Sequence, residues 1–149
     1  MNLRRWAAAA SVLMMAGAGT AVAAPAHAAP AAGCYGASCE GKDPDVYCAD
    51  DARSPVGGVR IGQAYVELRY SPSCRAAWAR ISDASYGNGQ FTPFATVHRN
   101  SDGREYTCAV QRGATGCYTR MVNDVNVTSY AKGEWDSGAR TYTGRTSSY

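Results

Sequence analysis

The residues able to do chemistry are few. Beyond the N-terminal leader the chain carries one histidine, His98, in the middle of a segment that alternates like a strand. A single histidine there, with no partner nucleophile marked by a motif, is a poor candidate for a general base. Serines are plentiful, yet none stands in a Gly-x-Ser-x-Gly elbow, the turn that exposes a nucleophilic hydroxyl. Two acids flanking a glycosidic bond can hydrolyse it. Asp50 and Glu67 are such a pair on paper and constitute the hydrolase alternative. The expectation is a protein that is not an enzyme and needs no cofactor.

Cysteine chemistry is more informative. Cys34, Cys39, Cys48, Cys74, Cys108 and Cys117 all lie after the leader. In an exported chain an even count reads as disulfides, and six cysteines allow fifteen connectivities. Cys108 and Cys117 flank a Gly-containing loop between two strand-like segments, which points to that pair. The remaining four then pair among themselves and tie the N-terminal loop to Cys74. No Cys-x-x-Cys occurs, so zinc is not expected. Glu40, Asp43, Asp45, Asp50 and Asp51 crowd one loop against the single Lys42. Calcium favours such oxygen donors, but the spacing does not make an EF-hand loop, and no metal site is expected. The acidic loop and the basic remainder of the chain are expected to face each other.

Binding chemistry rests on ten tyrosines and on the two tryptophans after the leader. Both side chains pair a flat apolar face with a polar tip, suited to sugar or protein surfaces. Tyr35, Tyr47, Tyr86, Tyr118 and Trp135, together with Tyr149, fall in or near loops and are candidates for exposure. A third possibility is inhibition of a protease. A Cys108–Cys117 bridge would preorganise residues 109–116 and present Arg112. Glu67, Arg69 and Arg80 suggest a cross-strand charge cluster of structural use.

What positions these groups is read from the pattern. Residues 1–28 have the form of a signal peptide: Arg4 and Arg5, an apolar run from Trp6 to Val22, then Ala26-His27-Ala28 as a cleavage site. No stable membrane anchor is expected. Cleavage would remove two of the fifteen basic residues, leaving 13 against 12 acidic. That balance argues against nucleic acid as a partner.

Residues 29–149 read as a single exported domain, expected to be a monomer. Between Tyr65 and Tyr70 the chain alternates, with Tyr65, Glu67 and Arg69 on one face and Val66, Leu68 and Tyr70 on the other. Pro72 ends that strand. Cys74, Ala77, Trp78 and Ile81 have helical spacing, but a turn at 72–75 followed by a strand from Ala77 to Ser82 is preferred. Val59 and Ile61 begin a strand able to run past Gly62 into the central stretch. Asn88-Gly89 marks a turn, and residues 91–112 form a hairpin about Asp102-Gly103. Strands are expected at 117–122 and 125–130, a polar loop at 132–138 and a short strand at 141–143. Short strands about ten residues apart mean an all-β fold. The expectation is a small disulfide-stapled antiparallel sandwich or barrel with an irregular N-terminal loop.

Several runs carry a family resemblance. They are Cys34-Tyr35-Gly36, then Cys39-Glu40-Gly41-Lys42-Asp43-Pro44, then Cys48, and then Val66-Glu67-Leu68-Arg69-Tyr70-Ser71 with Cys74 and Trp78-Ala79-Arg80-Ile81. From about Gly33 to Tyr130 the chain resembles the small exported YjfA-like domains common in actinobacteria, a domain of unknown function. Cys108 and Cys117 stand outside the usual pattern, and the tail from Gly133 departs from it. The resemblance implies an exported, disulfide-bearing domain and no particular activity. The expected role is a secreted, non-catalytic binding module at the cell surface or in the medium, with cell-wall polysaccharide or a secreted protein as partner.

Overall fold

Val66, Leu68 and Tyr70 turn to one side of a strand while Tyr65, Glu67 and Arg69 turn to the other, and that strand is the centre of the first sheet. The computed structural model describes residues 33–86 and 91–149. The signal peptide read at 1–28 and the Asn88-Gly89 turn lie outside the described residues. Among the described residues nine strands follow a short N-terminal segment: β1 (Gly58–Ile61), β2 (Ala64–Ser71), β3 (Ala76–Ser82), β4 (Phe94–Arg99), β5 (Glu105–Ala109), β6 (Cys117–Tyr118), β7 (Val122–Asn123), β8 (Ser129–Asp136) and β9 (Thr141–Arg145). They form two antiparallel sheets packed as a sandwich. The first has the order β1-β2-β3, with β6 and β7 both against β3; the second is β5-β4-β8-β9.

The core lies between the sheets. Val66, Leu68, Ala77, Ala79 and Ile81 meet Ala95, Val97, Ala131 and Trp135 there. Each large aliphatic side chain removed from water contributes about 1.5–3 kcal/mol. The Cys108–Cys117 disulfide joins edge strand β5 of one sheet to β6 of the other. On the opposite edge β1 packs on β9, and Gly144 lets Ile61 and Val59 approach the backbone.

Strand β3 shows why its sequence was ambiguous. Ala77, Ala79 and Ile81 enter the inter-sheet core, while Ala76 and Trp78 enter a second cluster on the outer side. A strand buried on both faces loses its alternation and reads as an apolar run. The second cluster is roofed by residues 33–53, which contain a 3-10 turn at Gly36–Cys39 and one helical turn, α1, at Pro44–Tyr47. Cys34, Cys39, Cys48, Cys74 and Met121 complete it. This N-terminal cap is pinned by Cys48–Cys74 and closed on itself by Cys34–Cys39.

Four expectations about the strands need correction. Val59 to Tyr70 is a tight hairpin, not one strand, because Gly62 takes φ +66° and reverses the chain. Residues 117–122 are not continuous: Ala79 N–H donates to the Thr119 hydroxyl, and Met121 exchanges backbone bonds with Gly41 and Lys42 of the cap. The strand expected at 125–130 begins only at Ser129, after a bend with Asn126 at φ +57°. Most of the loop expected at 132–138 is β8, whose Ser129, Ala131, Gly133 and Trp135 are buried in strict alternation. Gly133, inside that expected loop, lies where a Cβ would stand 2.6 Å from Val66 Cγ2.

Candidate functional site

An open concave surface lies on the outer face of the second sheet. The inward residues of β4, β8 and β9 alternate with outward ones, so Phe94, Thr96, His98, Tyr130, Lys132, Glu134, Thr143 and Arg145 share that face. An open groove of about 580 Å³ runs across it, floored by Phe94 and Thr96 and walled by Glu105, Lys132, Glu134 and Arg145. Strand register sets the layout. His98 lies between Glu105 and Tyr130, and Thr96 between Thr107 and Lys132, with Arg145 opposite Lys132.

The electrostatics are uneven. Glu105 accepts from Lys132 Nζ at 2.6 Å and bonds His98 Nδ1 at 2.7 Å. The Lys132 and His98 hydrogen bonds together hold its carboxyl below the ordinary range. His98 stacks on Tyr130 at 4.7 Å, and the Arg145 guanidinium lies 5.0 Å from the Tyr130 ring. Lys132 and Arg145 are like charges on neighbouring strands, an arrangement that costs stability. Among the described residues neither Glu134 nor Arg145 has an ion-pair partner.

The sequence candidates do not converge on this face. Tyr35 (59% exposed) and Tyr47 belong to the cap, where the Lys42 ammonium lies over the Tyr47 ring. Tyr118 is exposed on β6; its hydroxyl bonds Asp45, and that bond, aided by burial, pushes its pKa up to about 12. Tyr149 is exposed and packs edge-on against Tyr70. Tyr86 is half-buried, donating to Val110 O at 2.9 Å beneath the Arg112 guanidinium. Trp135 is corrected outright: it is 6% exposed, donates to Ser85 O at 2.8 Å and lies on Gly62. It was assigned to a loop that is in fact a strand, and its ring points into the core. Lys132 and Glu134 of the groove fall in that same expected loop, although they alternate with Ala131, Gly133 and Trp135.

The carboxylates are otherwise engaged in structure. Glu67 is 4% exposed, takes the Ser54 hydroxyl, and lies between Arg69 at 3.2 Å and Arg80 at 2.8 Å. Burial alone would raise its pKa, but the Ser54, Arg80 and Arg69 bonds outweigh it and hold the group below the ordinary value. The cluster is therefore a brace within the first sheet, and Asp50, its paper partner, is exposed. The acidic cap does face basic residues. Glu40 pairs with Arg99, which also grips Asp102, and Asp43 meets Arg120 at 3.9 Å. Asp43 also caps α1, and Asp51 accepts from Ser71 and Ser73.

The three disulfides indicate an oxidising, extracytoplasmic environment. No described helix is long and apolar enough to cross a membrane. No solved structure matches the chain. The uncharacterized protein YjfA of Bacillus subtilis (strain 168) is 36% identical over 78 residues, covering 47% of this chain. The aligned part spans half the length of that protein. Residues 37–132 match the family described as protein of unknown function (DUF2690), which takes in most of the cap, the whole first sheet, and β4, β5 and half of β8 in the second. The chain belongs to the DUF2690 family.

Proposed function

We propose that this protein is a secreted, non-catalytic binding module, acting as a monomer, that takes cell-wall polysaccharide on the outer face of its second sheet. One observation carries the reading: Glu134 and Arg145 have no ion-pair partner among the described residues and flank a groove of about 580 Å³ whose floor includes Phe94. Unpaired polar groups beside an aromatic surface suit a sugar, which offers hydroxyls at its rim and C–H faces for stacking. Hydrolysis is disfavoured because Glu105 is engaged by Lys132 and His98, which hold its carboxyl below the ordinary range, whereas a general acid needs a raised one.

Co-sedimentation of the oxidised protein with purified cell walls and insoluble polysaccharides, at low and high salt, tests this. Salt-resistant pelleting is expected, weakened at least tenfold by Glu134→Ala or Arg145→Ala and unchanged by Tyr35→Ala on the cap. Pelleting that vanishes at high salt, or that responds to Tyr35 and not to the groove, would discard the reading. A second reading has one observation behind it. Arg112 is exposed on the loop closed by Cys108–Cys117, as a protease inhibitor would present it. Inhibition of trypsin-like proteases, lost in Arg112→Ala, would support that alternative.

A further inference from the structure

Two of the three disulfides lie against each other. Cys34 Sγ is 3.6 Å from Cys48 Sγ, and Cys39 Sγ is 4.0 Å from Cys48 Sγ. All four sulfurs of Cys34, Cys39, Cys48 and Cys74 fall within 4.8 Å of one another. Each residue is at most 6% exposed. A tetrahedral zinc–thiolate centre with Zn–S bonds of about 2.3 Å has sulfur–sulfur edges of about 3.8 Å. The two Cys48 contacts, at 3.6 and 4.0 Å, are already close to that length, and the remaining sulfurs lie within 4.8 Å. The bonded pairs would have to separate, and breaking their bonds permits it.

The gathering of the sulfurs does not depend on the disulfides alone. Gly36 N–H donates to Cys74 O, Gly41 N–H to Met121 O, and Met121 N–H to Lys42 O. Arg53 and Tyr70 exchange two backbone bonds, and Glu40 is held by Arg99 and the Asn123 amide. Trp78, Ala76 and Met121 pack around the sulfurs. Reduction leaves all of these contacts available, so the cap has reason to stay on the sheet and keep four thiols facing one point.

We propose that in the reduced chain Cys34, Cys39, Cys48 and Cys74 form a closed four-thiolate site for zinc. Two equivalents of a dithiol supply four electrons and four protons, converting two disulfides to four thiols and becoming two cyclic disulfides themselves. Zinc then displaces the thiol protons, up to four, and binds four sulfurs. The cap thus has two alternative staples, disulfide under oxidising conditions and metal under reducing ones, and affinity falls as pH falls because protons compete for the thiolates. Cys108 and Cys117, which bridge the two sheets and pack on the inter-sheet core, take no part.

The test uses the full chain, oxidised or reduced with a non-chelating phosphine, titrated with cobalt(II) as the spectroscopic probe and then with zinc. The reduced chain is expected to bind one cobalt(II), with thiolate charge-transfer bands and the strong d–d bands of tetrahedral sulfur coordination, and zinc should bleach them. The oxidised chain should show neither. Zinc should slow alkylation of Cys34, Cys39, Cys48 and Cys74, mapped by mass spectrometry, while Cys108 and Cys117 react as before. That mapping requires no variant to fold. Cys34→Ser should weaken binding at least tenfold and alter the spectrum, whereas the Cys108→Ser/Cys117→Ser double variant should do neither. No cobalt spectrum in the reduced chain, equal binding by the oxidised chain, or protection that includes Cys108 and Cys117 would overturn the proposal.

Discussion

Gly133→Ala should destabilise the domain by crowding, although alanine is ordinarily the better residue in a strand interior. Gly133 is buried in the middle of β8 and faces the first sheet. A Cβ there would stand 2.6 Å from Val66 Cγ2 and 2.9 Å from Phe94 O, with Ile61 Cδ1 at an ordinary 3.6 Å. Carbon atoms in contact prefer about 3.5–4.0 Å, so the overlap with Val66 is about 1 Å. Val66 is wholly buried and β-branched, and has few other rotamers. Phe94 O is main chain in the paired strand and moves only with β4. Overpacking of this kind costs about 1–3 kcal/mol, and the lower chain entropy of alanine returns about 0.5–1 kcal/mol. A net loss of about 1 kcal/mol is expected, or a Tm lower by roughly 4–5 °C for a domain of this size.

Urea titration monitored by tryptophan fluorescence measures the loss, and a double-mutant cycle assigns its cause. Val66→Ala removes the methyl that the new Cβ would strike. It should therefore cost about 1 kcal/mol less in the Gly133→Ala background than in the wild type. A Gly133→Ala variant within about 0.5 kcal/mol of wild type would refute the reasoning, as would strict additivity with Val66→Ala. Either result would mean that β8 does not pack this closely on β2.

Other perturbations probe the staples and charges. The Cys108→Ser/Cys117→Ser double variant should lose about 2.6 kcal/mol on the loop-closure estimate, from a separation of 9 residues, measurable by thermal unfolding. Arg99→Met removes the cation joining Glu40 of the cap to Asp102. A loss of about 3 kcal/mol is expected for a nearly buried pair broken on one side, with limited proteolysis cutting first within residues 33–53. Glu67 is held below its ordinary 4.5, so its ionised form stabilises the fold above that pH and the benefit fades as pH falls through the folded value. The stability gap between wild type and Glu67→Gln should accordingly be largest near pH 7 and shrink below pH 4.5. Asp124 has the opposite sign, because burial raises its pKa above 3.8 and its ionisation costs stability as pH rises through that window. Asp124→Asn, which can still accept from Ser129, should raise Tm at pH 7 and match wild type near pH 3.

Much of this fold is local in origin and was legible in the chain. A strand repeats every two residues, so the two faces of Tyr65–Tyr70 follow from residue order alone, as do the hairpin about Asp102-Gly103 and the grouping of Glu67 with Arg69 and Arg80. The Cys108–Cys117 bridge could be read because its partners close a short loop between adjacent strands. The opposition of an acidic loop to a basic remainder was also visible, though not which pairs would meet. Tertiary structure decided the rest, because it turned on which distant segments share a face. Residues 33–53 lie on β3 and bury its second side, which erased the alternation there. The first sheet presses on β8 so closely that glycine is required at 133, and that glycine disguised a strand as a loop. From this followed both the burial of Trp135 and the groove between Phe94 and Arg145. The meeting of four sulfurs from positions 34, 39, 48 and 74 belongs to the same class, since no local period relates them and only the docking of the cap brings them together.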